Sequence, residues 1–384
     1  MLPPFFVLAI NPKKDYNKKA GQISLPQPNQ RDNSRPLEKQ MATLKDIAAE
    51  AGVSITTVSN VVHNRTSRVS TEQISKIWAI MEREHYIPNM TARSLASEQS
   101  AIIGVITHIT PKNSGSTISD PFLSSIIASI EQRVREKDYY LMFRAVEDFE
   151  KLSSLVRSWH LSGLILLGMF QDPFFEAVQH LDVPFVLIDS YVNDSNVCCI
   201  GLQDEEGGYL ATRHLLENGH RVIAFASPSI QPGGVVEQRF YGYQRALGEF
   251  GLSFDPSMVF NREMNVQDGK ELGRVLSQRT EITGIVTSAD ILAAGIMAGL
   301  SEKQVRVPEN KSIVGFDDLY LSQLTSPGLT TIHQDAARKG ELAVDMILSQ
   351  LHQQAIPKKK VILPVSLVKR GSVRNLLESK SPLG

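Results

Sequence analysis

The 384-residue chain reads as a three-helix headpiece followed by a two-lobed α/β core with parallel sheets, behind a polar N-terminal extension. Three observations carry this. Residues 43–64 hold an amphipathic pattern cut by one glycine turn. From Ala101 onward, short β-branched runs alternate with helix-length segments. The alternation continues for about 270 residues, too long for one compact core, so two lobes are expected.

The headpiece begins at TLKDIAAEAGVSITTVSNVVHN (43–64). Leu44, Ile47, Ala48 and Ala51 recur at helical spacing. Thr43 is placed to cap that helix, and Asp46 lies in the first turn, where the helix dipole favours a negative charge. Gly52 tolerates the left-handed conformation that ends a helix. Ser54 caps a second helix in which Val58, Val61 and Val62 face inward. Ile55, Thr56, Ser59 and Asn60 form its outer face, too weakly apolar for a core stripe. Ser70-Thr71-Glu72-Gln73 is a capping box for a third helix, with Ile74, Ile77, Trp78 and Met81 as its expected buried face. Two helices joined by a tight glycine turn form a helix-turn-helix, which presents its second helix to a DNA major groove. On these features alone, an ordinary helical bundle is the alternative.

In the core, strands are expected at 101–107, 139–143, 163–168, 184–189, 221–226, 284–288 and 312–316. Amphipathic helices are expected at 122–137, 206–218, 236–250 and 335–351. Parallel α/β sheets bind ligands at the carboxyl ends of their strands, here in a cleft between lobes.

Composition is that of an ordinary globular protein, with 42% hydrophobic residues and a net charge of −1. Between Thr43 and Ser100, six bases balance six acids, so a DNA role rests on geometry rather than charge. Cys198 and Cys199 are the only cysteines and lack metal-ligand spacing. In NVCCIG they read as small side chains of a buried strand, compatible with a reducing cytosol. No apolar run reaches the roughly 20 residues of a membrane span. The opening MLPPFFVLAI has no basic leader and two prolines, unlike a signal peptide. Residues 1–41 are expected to be a disordered extension, with Met41 as the working start. Their net +4 offers a basic arm to phosphates as the other reading. Glycine-rich phosphate loops, Gly-x-Ser-x-Gly elbows, His-Glu-x-x-His and zinc spacings are missing from the sequence, so no enzyme and no cofactor is expected.

Five stretches together resemble the lactose/galactose-repressor family of bacterial transcription regulators over about residues 42–372. They are the headpiece motif, YIPNMTARSLA (86–96), ENGHRVIAF (217–225), VRVPENKSIVGFDD (305–318) and LTTIHQD (329–335). The resemblance implies a cytoplasmic homodimer or tetramer that binds double-stranded operator DNA and a small-molecule effector. It also implies a DNA-binding headpiece at 42–86, a hinge helix and linker at 87–100, and a core like periplasmic sugar-binding proteins at 101–372. Lobe one is expected at 101–219 and 332–362, lobe two at 220–331 and 363–372, and a tail at 373–384. The rival with a shared core is a solute-binding protein without DNA function.

Roles follow from the matched positions. Ile55, Thr56 and Asn60 would read bases. The family often carries Arg or His where this chain has Asn60, and Asn suits adenine rather than guanine. Thr43, Ser54, Thr57 and Ser59 would hydrogen-bond phosphate. In the hinge, Pro88 stops helical structure, Asn89 caps, Ala92 allows close packing and Leu95 wedges into the minor groove. Met90 and Thr91 depart mildly from the family pattern. Effector contacts map to Phe122, Asp204, Glu206, Arg239, Asp290, Phe316 and Asp317. Ala289 stands where the family commonly has Asn, which removes a polar contact. Acids, one arginine and aromatics are the usual chemistry for a polyol, so a sugar is the first expectation, with a nucleobase and a phosphorylated metabolite as the other readings. For each cleft residue, helix capping or surface solvation is the other reading.

Overall fold

The computed structural model describes residues 42–62, 66–86, 100–108 and 117–377. The extension at 1–41 and the hinge positions Asn89, Ala92 and Leu95 lie outside the described residues. The chain divides after Pro88 into two compact units.

The headpiece contains helices α1 (Leu44–Ala51), α2 (Ile55–Val62) and α3 (Thr71–Arg83). Thr43 and Asp46 cap α1 reciprocally, and Gly52 ends it at φ 73°. Ser54 Oγ accepts from the Thr57 N–H at 3.0 Å, and Ser70 caps α3 through the Gln73 N–H. Ile47, Ala48, Ala51, Val58, Val61, Ile77, Ile80 and Met81 form one core. Trp78, expected inside, is 45% exposed. Ile80 closes the core instead: Ile77, Ile80 and Met81 share a helical stripe, and Trp78 lies about 100° around the helix from Ile77.

The second unit has two six-stranded sheets. The first contains β1 (Ile102–His108), β2 (Tyr140–Val146), β3 (Gly163–Leu167), β4 (Phe185–Ile188), β5 (Cys198–Leu202) and β11 (Lys360–Leu363). Its order is β11-β5-β4-β3-β1-β2, with every pair parallel. β3 and β5 are buried at every residue, because helices cover both faces of a parallel sheet. Helices α4 (Pro121–Glu136) and α12 (Ala336–Leu351) pack on one face, and α5 (Phe149–Trp159) and α6 (Pro173–Val178) on the other.

The second sheet contains β6 (Ile223–Ser227), β7 (Val259–Asn261), β8 (Gly284–Thr287), β9 (Ser312–Asp317), β10 (Thr330–His333) and β12 (Ser366–Val368). Its order, β12-β10-β9-β8-β6-β7, repeats the first, with β12 antiparallel at the edge. Helices α7 (Asp204–Glu217) and α8 (Val235–Glu249) cover one face, α9 (Val266–Leu276) and α10 (Asp290–Glu302) the other. A short α11 (Tyr320–Leu324) follows β9.

The chain crosses between lobes after β5, after β10 and between β11 and β12. The first crossing comes at Gln203, one helix before the expected boundary at 219, because α7 packs on α8 and on the second sheet. The return crossing follows His333, so β10 belongs wholly to lobe two.

Contact between α7 and α8 needs two glycines. A Cβ on Gly208 would lie 1.9 Å from the Arg239 carbonyl oxygen, and one on Gly242 would lie 1.9 Å from that of Glu205. The helix backbones therefore touch, and this brings Arg239 to the start of α7.

Candidate nucleic-acid interface and ligand cleft

In the headpiece, burial of Val58 and Val61 fixes the rotation of α2. Ile55 and Thr56 are consequently exposed, and Ser59 and Asn60, one turn on, are half-buried beside them. Ile55 is 48% exposed, and leaving it in water forgoes roughly half of the ~2 kcal/mol that burial of such a side chain yields. Thr43 and Ser54, expected at phosphates, serve as caps. The Thr43 hydroxyl donates to Asp46 Oδ2 at 2.6 Å, and its hydrogen bonds hold the Asp46 carboxyl below its usual range. The Ser54 and Thr57 hydroxyls share a hydrogen bond at 2.9 Å. Two headpiece cations have internal partners: Lys76 Nζ donates to the Ala51 carbonyl at 3.0 Å, and Arg83 pairs with Glu50.

Between the lobes, polar side chains converge at the carboxyl ends of the strands. Arg239 of α8 donates from Nε to Asp204 Oδ1 at 2.8 Å and from Nη1 to the Ser288 carbonyl at 2.6 Å. Its guanidinium lies 3.6 Å from the centre of the Phe316 ring. Tyr191, in the loop after β4, donates to the other Asp204 oxygen at 2.8 Å and so ties lobe one to lobe two. Burial raises the Asp204 carboxyl against the opposing pull of Arg239. Asp317 ends β9 and accepts from Gln334 Nε2 at 2.6 Å; burial raises it well above the ordinary range, again against Arg239.

Lys339 of α12 is wholly buried. Its ammonium lies 2.5 Å from Asp189 Oδ1, 2.7 Å from Gln334 Oε1 and 5.3 Å from the centre of the Phe122 ring. Asp120 caps α4 by accepting from the Phe122 N–H at 2.8 Å; burial raises its carboxyl, while Arg239 lowers it. Asp189 at φ 52° and Asp317 at φ 112° both adopt left-handed backbone. They end the third strand from the edge of their respective sheets, so the two lobes hold equivalent aspartates in conformations costing about 1–3 kcal/mol each. Strain of this kind persists where the surroundings over-determine it, as at a binding site.

Arg239, Asp204, Asp317, Phe316 and Phe122 are thus brought together. Asp290 accepts from Thr331 Oγ1 at 2.5 Å and from the Leu319 N–H at 3.0 Å, and burial raises its carboxyl to about 7. Both of its oxygens join the start of α10 to β10 and to the segment after β9. Glu206 turns to the outer surface and pairs with Arg245 at 2.6 Å. Sequence reasoning missed Lys339, Asp189, Tyr191 and Gln334. Two signals were available: Lys339 interrupts the apolar stripe of 335–351, and Asp189 follows the strand run PFVLI. Among the described residues, the Thr107 and Ser288 hydroxyls are buried without a partner.

Residues 43–89 match the model of bacterial regulatory proteins of the lacI family, and residues 212–373 match a periplasmic binding protein-like domain. An HTH-type transcriptional repressor, PurR of Haemophilus influenzae strain PittEE, is 31% identical over 347 residues, covering 88% of this chain and all of that one. The repressor of the same name from Glaesserella parasuis serovar 5 is 30% identical over 348 residues, covering 88% and 99%. The Lac repressor dimer bound to operator and the anti-inducer ONPF superposes with a TM-score of 0.74 at 29% identity, covering 87% and 100%. A LacI-family regulator from Enterococcus faecium with bound ribose gives 0.63 at 26% identity, covering 72% and 99%. No helix among the described residues is long and apolar enough to cross a membrane.

Proposed function

The chain belongs to the lacI family of bacterial regulatory proteins, whose members are DNA-binding transcriptional regulators rather than enzymes, and from that premise we propose how this one works. It represses by gripping a near-palindromic operator as a homodimer, and a small polyhydroxylated effector in the inter-lobe cleft, a sugar in the first instance, sets the strength of the grip. The observation that carries this is the convergence of Arg239, Asp204 and Asp317 at strand ends of lobe two, joined to lobe one through Tyr191 and Gln334. A molecule seated there touches both lobes and changes the angle between them.

On the operator, Ile55 and Thr56 contact base edges, and Asn60 reads adenine through paired hydrogen bonds. Thr57 and Ser59 contact phosphate. Leu95, by its place in the matched hinge stretch, wedges the operator centre. The Lac repressor structure, a dimer on its operator, supports the two-fold arrangement.

Two measurements test this reading. Gel shifts with DNA upstream of the gene are expected to give a salt-sensitive complex that sugars weaken or strengthen, and by reciprocity bound operator changes sugar affinity by the same factor. Operator selection with Asn60→Ala is expected to relax one base pair per half-site by about 1–3 kcal/mol. Unchanged preference at every position would remove Asn60 from the reading set.

A further inference from the structure

We propose that Lys339 is a built-in ligand of the cleft: its ammonium, paired with Asp189 within lobe one, holds Gln334, whose amide reaches Asp317 of lobe two, and effectors of this chain carry an amine that takes its place. The proposal rests on the cleft reading above and narrows its ligand class from polyols to hydroxylated amines, amino sugars among them.

Four residues form one continuous chain. Asp189, at the end of β4 in lobe one, holds the Lys339 ammonium. The same ammonium donates to Gln334 Oε1, and Gln334 Nε2 donates to Asp317 at the end of β9 in lobe two. Gln334 itself lies on the segment that passes from β10 to α12, so the latch includes a crossing between the lobes. Both of its carboxylates belong to residues held in left-handed backbone, a conformation that Asp138 and Asp318 share.

Packing does not call for a lysine here. Its neighbours on α12, Ala336, Gly340, Ala343, Val344 and Ile347, are small or apolar. A buried ammonium is costly to desolvate, and an uncharged residue of similar volume would pack at least as well. The ammonium therefore answers to the carboxylates. Asp120, Asp189, Asp204 and Asp317 face Arg239 and Lys339, four acids against two bases. A ligand rich in hydrogen-bond donors, such as an ammonium, suits this set of carboxyl oxygens. The Ser288 hydroxyl is fully buried without a partner among the described residues, while its carbonyl holds Arg239. It supplies a further acceptor for a hydroxyl.

The test replaces the tethered amine by a free one. In full-length Lys339→Ala, millimolar n-propylammonium chloride is expected to raise the melting temperature by several degrees, with n-propanol inert and the wild type unresponsive. Equal effects of amine and alcohol, or equal effects on variant and wild type, would overturn the proposal. If Lys339→Ala does not fold, Lys339→Met is compared with Asp189→Asn/Lys339→Met. Recovery of melting temperature in the double variant supports the latch, and no recovery overturns it. With wild type, glucosamine is expected to shift the melt and glucose 6-phosphate is not; the reverse order rejects the amine class. Amine-specific rescue with operator affinity unmoved would leave Lys339 as the built-in ligand and break instead the link from cleft to DNA.

Discussion

Helix α2 and the inter-lobe cleft are built in opposite ways. Helix α2 buries two valines to fix its rotation and leaves Ile55 and Thr56 in water. The cleft buries Asp204, Arg239, Asp317 and Lys339 and lets them satisfy one another. A surface for DNA need only be held in position, because the duplex brings its own edges and phosphates. A site for a small molecule must already hold charges out of water, and it does so by pairing them. Changes on the reading face should therefore alter binding and spare stability, whereas changes in the cleft should alter both.

The largest expected effect is in the cleft. Arg239→Met strands the buried Asp204 carboxylate and should cost about 3–5 kcal/mol in urea unfolding, partly recovered in Asp204→Asn/Arg239→Met. A loss below about 1 kcal/mol would mean that the cleft charges are not mutually dependent. In the headpiece, Val58→Ala should cost roughly 1–3 kcal/mol, whereas Ile55→Ala should stay within about 0.5 kcal/mol and lower operator affinity instead. Equal stability losses at the two positions would erase the contrast between inner and outer faces. Loss of a cap is smaller: Thr43→Ala should cost about 1 kcal/mol by thermal melts.

The pH response separates the regions further. Burial raises Asp290 from the ordinary 3.8 to about 7. The folded state then binds a proton that the unfolded chain releases, so this group's contribution to stability falls as pH rises from about 4 to 7. Asp290→Asn should flatten that part of the core's pH–stability curve and leave headpiece melting unchanged. A profile identical to wild type would show that Asp290 does not titrate in that window.

Much of this was legible in the chain because parallel strands covered on both faces are nearly continuous β-branched runs. NVCCIG and GLILLG are examples, and their strands lie where those runs do. Helix α10 was not assigned, since it is apolar on several sides and shows no amphipathic contrast. Edge strands β7 and β12 have three residues each, too few to display a period. Trp78 was misplaced because apolar residues at 74, 77, 78, 80 and 81 admit two overlapping stripes, and only packing against Val58 and Val61 chooses between them. Lys339 was missed because a charge inside an apolar stripe is usually a break in it; here the carboxylate that pays for the charge lies 150 residues earlier in the chain.

The triple crossing between lobes also sets an order of assembly on the ribosome. Lobe one begins first, yet it cannot finish first. The helix that covers Ile103, Val105 and Ile165, and the strand that closes its sheet beside β5, are encoded at 336–351 and 360–363. Lobe two, apart from its edge strand, is synthesised in between. The nascent chain must therefore carry the open apolar face of its first lobe through the making of the second. That interval is when the chain is most exposed to misassembly and most dependent on chaperones.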